Sequence, residues 1–456
     1  MLQSARARTV RLEDDPNLDE VAQREAQQET LGKMAQRTLA LPIGRAALTF
    51  GVDSRPIVSQ KLSIPSVNLD VKITPGTGIT KLEDPTLRNE DTLPWAYFHN
   101  AVAAALRISP ESQDVTDSWI RFQYPGRRQV EEDKDYESAT HGGVLLGLGI
   151  TRHLRSLGHT LPSEYLTTKK ELYNLGLLLG LSCAFRGTMN DRVIKLLTAH
   201  MPSWLHELGN QFDLSLMTQD ACFVGMGLLH SETCSAKMML VMAQEIGLDP
   251  RTGLAEAKAY KRQESHSLSA GFGLGWTTLG LGDKKSVQLA GIVRILHDYL
   301  PTIGVSSNVS EPAPGRHRAE SGATAVGAAI ALGLMYIRTN NKIAARKLDP
   351  PDSKSHLDYV TPASLQLRVI CRSIIMWDSI LPSEAWVLSQ IPEFLKNDEG
   401  GPPDIESAPQ AYYSMLAGAC FAIGLRFAGS GLENVYNFLI GYIDRLAKLG
   451  LRGKFE

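Results

Sequence analysis

The sequence predicts an all-α protein built from a helical repeat. Three observations lead there: a small-x-small pair recurs inside apolar runs, a further small residue usually stands four places before it, and a Ser or Thr often follows at a fixed distance. A chain of 456 residues is also too long for one ordinary core, so an array of repeats or several domains must share the burial.

The elements come in this order. Residues 1–50 read as a helical segment, because Leu18, Val21, Leu31, Met34, Ala35 and Leu39 fall near helical spacing and Pro42 marks a stop. Residues 51–94 hold Pro56, Pro65, Pro75, Pro85 and Pro94 among polar residues, which starves a helix of donors and predicts an extended linker. Residues 95–137 form a helical lead-in, with the alanine-rich stretch around Ala103 at its centre.

From 138 to 456 the same element returns about seven times. Its pairs are Gly147/Gly149, Gly180/Ser182, Gly225/Gly227, Gly273/Gly275, Ala331/Gly333, Cys371/Ser373 and Ala422/Gly424, at a mean spacing of about 46 residues, which suits a two-helix unit. Four places earlier stand Gly143, Gly176, Ala221, Ser269, Gly327 and Gly418, with Leu367 as the exception. Positions four apart share a helix face, whereas positions two apart point about 200° away from each other. Each such helix is therefore slim on two opposite sides, which predicts close neighbours on both, as in a ring or stack.

Thr188, Thr233, Thr339, Ser379 and Ser430 come eight residues after the first small position, preceded in two cases by Gly187 or Gly429. The pattern predicts a left-handed glycine followed by a Ser or Thr cap. Second helices are expected at 191–197, 236–246, 384–391 and 434–449, and long loops at 129–138, 250–266, 304–320 and 396–409.

Composition narrows the function. Hydrophobic residues at 43% and charged residues at 21% are the balance of a globular protein. A formal charge of −2 leaves no field that gathers phosphate backbones or anionic lipid, so neither nucleic acid nor membrane is expected as a partner. Apart from the short cluster Arg6, Arg8 and Arg11 there is no basic stripe with interleaved aromatics, and the longest apolar stretches fall short of the roughly 20 residues that cross a bilayer. Cys183, Cys222, Cys234, Cys371 and Cys420 are odd in number and widely spaced, as reduced thiols are.

Chemistry is sparse. None of the glycine pairs completes a dinucleotide fingerprint: after Gly273 and Gly275 the third glycine's place is held by Thr278. His206 and Glu207 lack a second histidine four places on, so no zinc motif forms. Cys371 between Arg368 and Arg372 invites a lowered thiol pKa, yet it holds a packing position. The acidic run Glu131, Glu132, Asp133 and Asp135 reads as solvated, and His317, Arg318 and Glu320 as a loop segment. Met238, Met239, Leu240 and Met242 read as core. Ser306, Ser307, Ser310 and Ser321 are candidate phosphorylation sites. No catalytic residue, metal ligand or cofactor is expected.

The stretches at 176–188, 223–233 and 417–430 resemble the proteasome/cyclosome repeat, a family found in the anaphase-promoting complex scaffold and in the two largest non-ATPase proteasome regulatory subunits. The flanking segments at 36–50, 93–110, 336–348 and 375–386 resemble the anaphase-promoting complex scaffold family in order. That resemblance implies an α-α toroid or an open solenoid, and a non-catalytic role in a cell-cycle ubiquitin ligase. It implies as partners a cullin-like and RING module, a DOC-domain subunit, tetratricopeptide subunits and a WD40 coactivator, in the nucleus and cytoplasm. It also implies that the chain, which stops at Glu456, lacks the family's last repeats. The alternatives are a proteasome regulatory scaffold, which would bind ubiquitin-like domains, and a toroidal α-helical enzyme with carboxylates or metal ligands in a central cavity.

Overall fold

The computed structural model describes residues 8–11, 19–49, 55–56, 58–74, 78–81, 93–124, 134–158, 162, 165–166, 170–201, 215–249, 256–284, 286–300, 317–318, 321–353, 357, 360–396 and 408–451. They form an all-α helical repeat fold, with short strands as a minor addition. The chain divides into two units, one of Met1–Phe185 with Lys195–Ala221 and the other of Arg186–Ile194 with Cys222–Glu456.

In the first unit, α1 (Glu20–Leu39) starts where the Asp19 carboxylate accepts the Ala22 N–H at 2.8 Å, satisfying one of the amides that a helix start leaves unpaired. Pro42 does more than stop that helix. After Ala40 a second helix, α2 (Leu41–Thr49), begins with Pro42 in its first turn, where a missing N–H costs no intrahelical bond.

Within the proline-rich interval, β2 (Asp70–Thr74) pairs in parallel with β1 (Arg8–Arg11) and antiparallel with β3 (Ile79–Lys81). Pro65 and Pro75 lie outside β2, so the ladder keeps its donors. Val71 is buried with Ala35, Leu39 and Ala96. The stretch before β2 is docked rather than free: the Leu62 N–H donates to Gln123 Oε1 at 2.7 Å, and Asn100 Nδ2 donates to the Pro65 carbonyl at 2.9 Å.

Further helices described in this unit are α3 (Leu93–Ala105), α4 (Asp117–Gln123), α5 (Lys134–Ile150) and α6 (Glu171–Ala184). Helix α3 packs on α2 and α5, and α5 packs on α6. His141 of α5 is fully buried among the rings of Tyr124, Tyr165 and Tyr173, with centroids 5.2 to 5.6 Å away. Burial pulls its pKa down to about 3.

Residues of α7 (Asp191–Thr198) and α8 (Leu216–Leu229) fall in both units. The second unit alternates small-residue helices with amphipathic ones. After α8 the small-residue helices are α10 (Glu256–Thr277), α12 (Ser321–Met335), α14 (Pro362–Ile375) and α16 (Ala408–Arg426). Between and after them come α9 (Ala236–Ile246), α11 (Val287–Tyr299), α13 (Lys342–Arg346), α15 (Glu384–Ser389) and α17 (Glu433–Leu451).

Two strands of two residues each, β4 (Leu248–Asp249) and β5 (His317–Arg318), pair antiparallel in this unit. The loop expected at 250–266 is partly helix, because α10 extends back to Glu256. Its first turns hold Ala, Lys, Arg and Gln, strong helix formers that carry no apolar stripe to announce a helix.

Candidate functional site

The repeated small residues lie where helices meet, and they divide between two faces. In the first unit Gly143 and Gly147 turn toward α3: a Cβ on Gly143 would overlap the Phe98 carbonyl, and one on Gly147 would stand 2.5 Å from Ala105 Cβ. Gly149 turns the other way, against the Gly180 backbone. Gly176 lies on Gly142, and a Cβ on Gly180 would meet the Leu145 carbonyl at 2.6 Å. The first member of a pair and the residue four before it thus face the preceding helix, and the second member faces the following one.

The second unit repeats the division. Gly227 meets the Gly273 backbone, while a Cβ on Gly273 would stand 2.6 Å from the Phe223 carbonyl. One on Gly275 would meet Leu334 Cδ1 at 2.6 Å, and Gly327 sits on the Ser267 carbonyl. A Cβ on Gly333 would stand 2.8 Å from Cys371 Cβ, and one on Gly418 would stand 2.8 Å from the Gln366 carbonyl. Gly225 is buried, and a Cβ on Gly424 would meet no atom within 4 Å among the described residues.

The turns carry a second device. After α6, the Gly187 and Met189 N–H groups donate to the Leu228 and Leu229 carbonyls at 3.0 and 3.2 Å. Glu232 and Cys234 donate likewise to Trp276 and Thr277, Gly280 and Gly282 to Leu334 and Met335, and Arg338 and Asn340 to Ile374 and Ile375. Each turn therefore closes off the carbonyl end of the next small-residue helix, which has no intrahelical donors left. The geometry demands positive φ, at 71° for Gly187 but also 64° for Glu232, 48° for Cys234, 59° for Arg338 and 53° for Asn340.

These turns correct the expected caps. Thr233 and Thr339 do not cap the next helix; each hydroxyl donates to a carbonyl three residues back and accepts an N–H two residues ahead. The caps come at Asn190, Ser235, Asn341 and Ser383, which receive amides of α7, α9, α13 and α15. The left-handed turn consumes two more residues than a simple glycine stop, so the cap moves along the chain. The spacing of Asn and Ser after each Thr was the available signal.

The remaining candidates are dispersed. Burial pushes the Cys371 thiol far up, and Arg372 is held 3.2 Å from Asp349, so the flanking arginines do not activate it. Met238, Met239 and Met242 are buried, whereas Leu240 is 48% exposed. Among the described residues no His, Cys, Asp and Glu side chains gather as three potential metal ligands, and no helix is long and apolar enough to cross a membrane. Glu131, Glu132 and Asp133, His206 and Glu207, Glu320, and Ser306, Ser307 and Ser310 lie outside the described residues, as do the side chains of Asp135, His317, Arg318 and Ser321.

Comparison with known proteins assigns this interface to a family. Residues 1–186 match the APC1 fourth domain, and residues 191–455 match the APC1 fifth domain. The chain belongs to the anaphase-promoting complex subunit 1 family. The break between the two matches falls beside Phe185, where the main stretch of the first unit ends. The chain is 35% identical over 453 residues to the Negative regulator of mitosis of Emericella nidulans, covering 98% of this chain and 21% of that protein. It is 33% identical to Anaphase-promoting complex subunit 1 of Schizosaccharomyces pombe, covering 93% of this chain and 27% of the relative. The human subunit 1 is 31% identical, over 96% of this chain and 23% of its own length. The chain thus spans between 21% and 27% of the length of these relatives.

Proposed function

We propose that this chain is a non-catalytic scaffold region of the anaphase-promoting complex. The observation that carries the reading is the use made of the glycine pairs. Most of these residues, which in another setting would cradle a phosphate, are here consumed by helix-helix contact, with backbone or side-chain atoms of the neighbour occupying the space. What such a stack offers a partner is its surface, held rigid by close packing.

In this reading the chain helps to hold a cullin-like and RING catalytic module, a DOC-domain subunit, tetratricopeptide subunits and a WD40 coactivator in one assembly, in nucleus and cytoplasm. Ubiquitin transfer belongs to the catalytic module. Membership of the subunit 1 family favours this over a proteasomal scaffold.

Affinity purification of the tagged chain from its own cells, followed by mass spectrometry, tests the reading. Recovery of cullin-like, DOC-domain and tetratricopeptide subunits is the expected result. Recovery of proteasomal ATPases, or of none of these subunits, overturns it.

A further inference from the structure

Helix α14 carries a buried cation that has no counter-ion among the described residues. Ser364 and Arg368 stand four residues apart, so their side chains leave the same face of the helix. They are 2% and 5% exposed. Arg368 Nη1 reaches the backbone carbonyl of Asp349 at 3.5 Å, the far limit of a hydrogen bond. The Asp349 carboxylate is engaged elsewhere, 3.2 Å from Arg372.

Arg368 Nε and Nη2, and Ser364 Oγ, have no hydrogen-bond partner among the described residues. Nε and Nη2 form a side-on edge of the guanidinium, whose parallel N–H bonds match two oxygens of one carboxylate or phosphate. Burial lowers the Arg368 pKa to about 10, so the group is still a cation at neutral pH. An unpaired buried charge is strongly unfavourable, and a dioxygen acceptor is what would relieve it.

The second helix of the preceding repeat, α13, has 5 residues, against 11 in α9 and 13 in α11. Past α13 the chain continues through Pro350 and Pro351 instead of as helix.

We propose that Arg368 and Ser364 form a binding site for a small oxyanion of the phosphate class. Two oxygens meet Arg368 Nε and Nη2, and Ser364 Oγ donates to the same group. The burial of both donors favours a free ion over the side chain of a partner.

The test is the melting temperature of the purified chain, titrated with inorganic phosphate at an ionic strength held constant with chloride. A saturating rise is expected in the native chain. In Arg368→Met the rise disappears, and in Arg368→Lys, which keeps the charge but loses the side-on edge, the midpoint moves about tenfold or more to higher phosphate. Ser364→Ala weakens the response without abolishing it, and carries the test together with Arg368→Lys if Arg368→Met fails to fold. A native chain that melts identically in phosphate and chloride overturns the proposal, as does an undiminished response in these variants. A response to acetate but not to phosphate overturns the assignment to the phosphate class.

Discussion

Gly227 and Gly273 lie backbone against backbone across the contact between α8 and α10, with no room for a methyl group between them. Glycine inside a helix costs roughly 1 kcal/mol relative to alanine, so each such position is offset by packing that any side chain would prevent. The contacting atoms at Gly227 are main-chain atoms, which cannot rotate aside. Gly227→Val is therefore expected to cost about 3 kcal/mol, the upper end of overpacking. Denaturant unfolding checks this, with Gly291→Val, which has open space beside it, as the tolerated control.

The turns make an opposite prediction. Met189 sits at φ 49° with 48% of its surface exposed, so its side chain contributes little while its backbone is strained. Met189→Gly is expected to stabilise the chain by about 0.5 kcal/mol, and Met189→Pro, which removes the N–H given to Leu229, to destabilise it by about 3 kcal/mol. The two melting temperatures should move in opposite directions.

The correction of the caps can be tested separately. Ser235 Oγ receives the Met238 N–H at the start of α9, whereas Thr233 only braces the turn. Ser235→Ala should cost about 1 kcal/mol. Thr233→Ala should cost less, and the reverse order in chemical denaturation would restore Thr233 as the cap.

Acid should weaken the chain partly through His141. Its pKa is depressed from 6.5 to about 3 in the fold. Between those values the unfolded imidazole binds a proton and the folded one does not, so stability is full above the unfolded pKa and falls as pH drops through that window. One such proton corresponds to about 1.4 kcal/mol per pH unit. His141→Phe should flatten the profile between those pH values by about that slope, read from unfolding at a series of pH values.

The small-residue helices are legible in the sequence because their geometry leaves a fixed mark: Gly147 and Gly149 must be small, and nothing else in the chain demands that spacing. The second helices at 191–197 and 236–246 are legible from their apolar faces. The turn amides are not, because the backbone donates them whatever the side chain, and Glu232 or Arg338 at positive φ looks like any charged loop residue. Strand β2 is hidden for a related reason, since the prolines that flank it dominate the local composition. Arg368 is overshadowed in the sequence by its neighbour Cys371, and only the packed structure separates a buried guanidinium from a solvated one.

Because four of the turns supply the amides that close off the next small-residue helix, that part of the array has a direction. A helix depends on its predecessor and serves its successor. Cutting the array out of register, within a repeat, would strand the donors on one side of the scar and the acceptors on the other, and neither can be repaired by its own helix. Gly429 and Gly431, at φ 73° and 65°, repeat the paired turn with no acceptor among the described residues. Growth or loss of such an array by whole in-register repeats keeps every donor matched, while any other change in length leaves an open pair at the join.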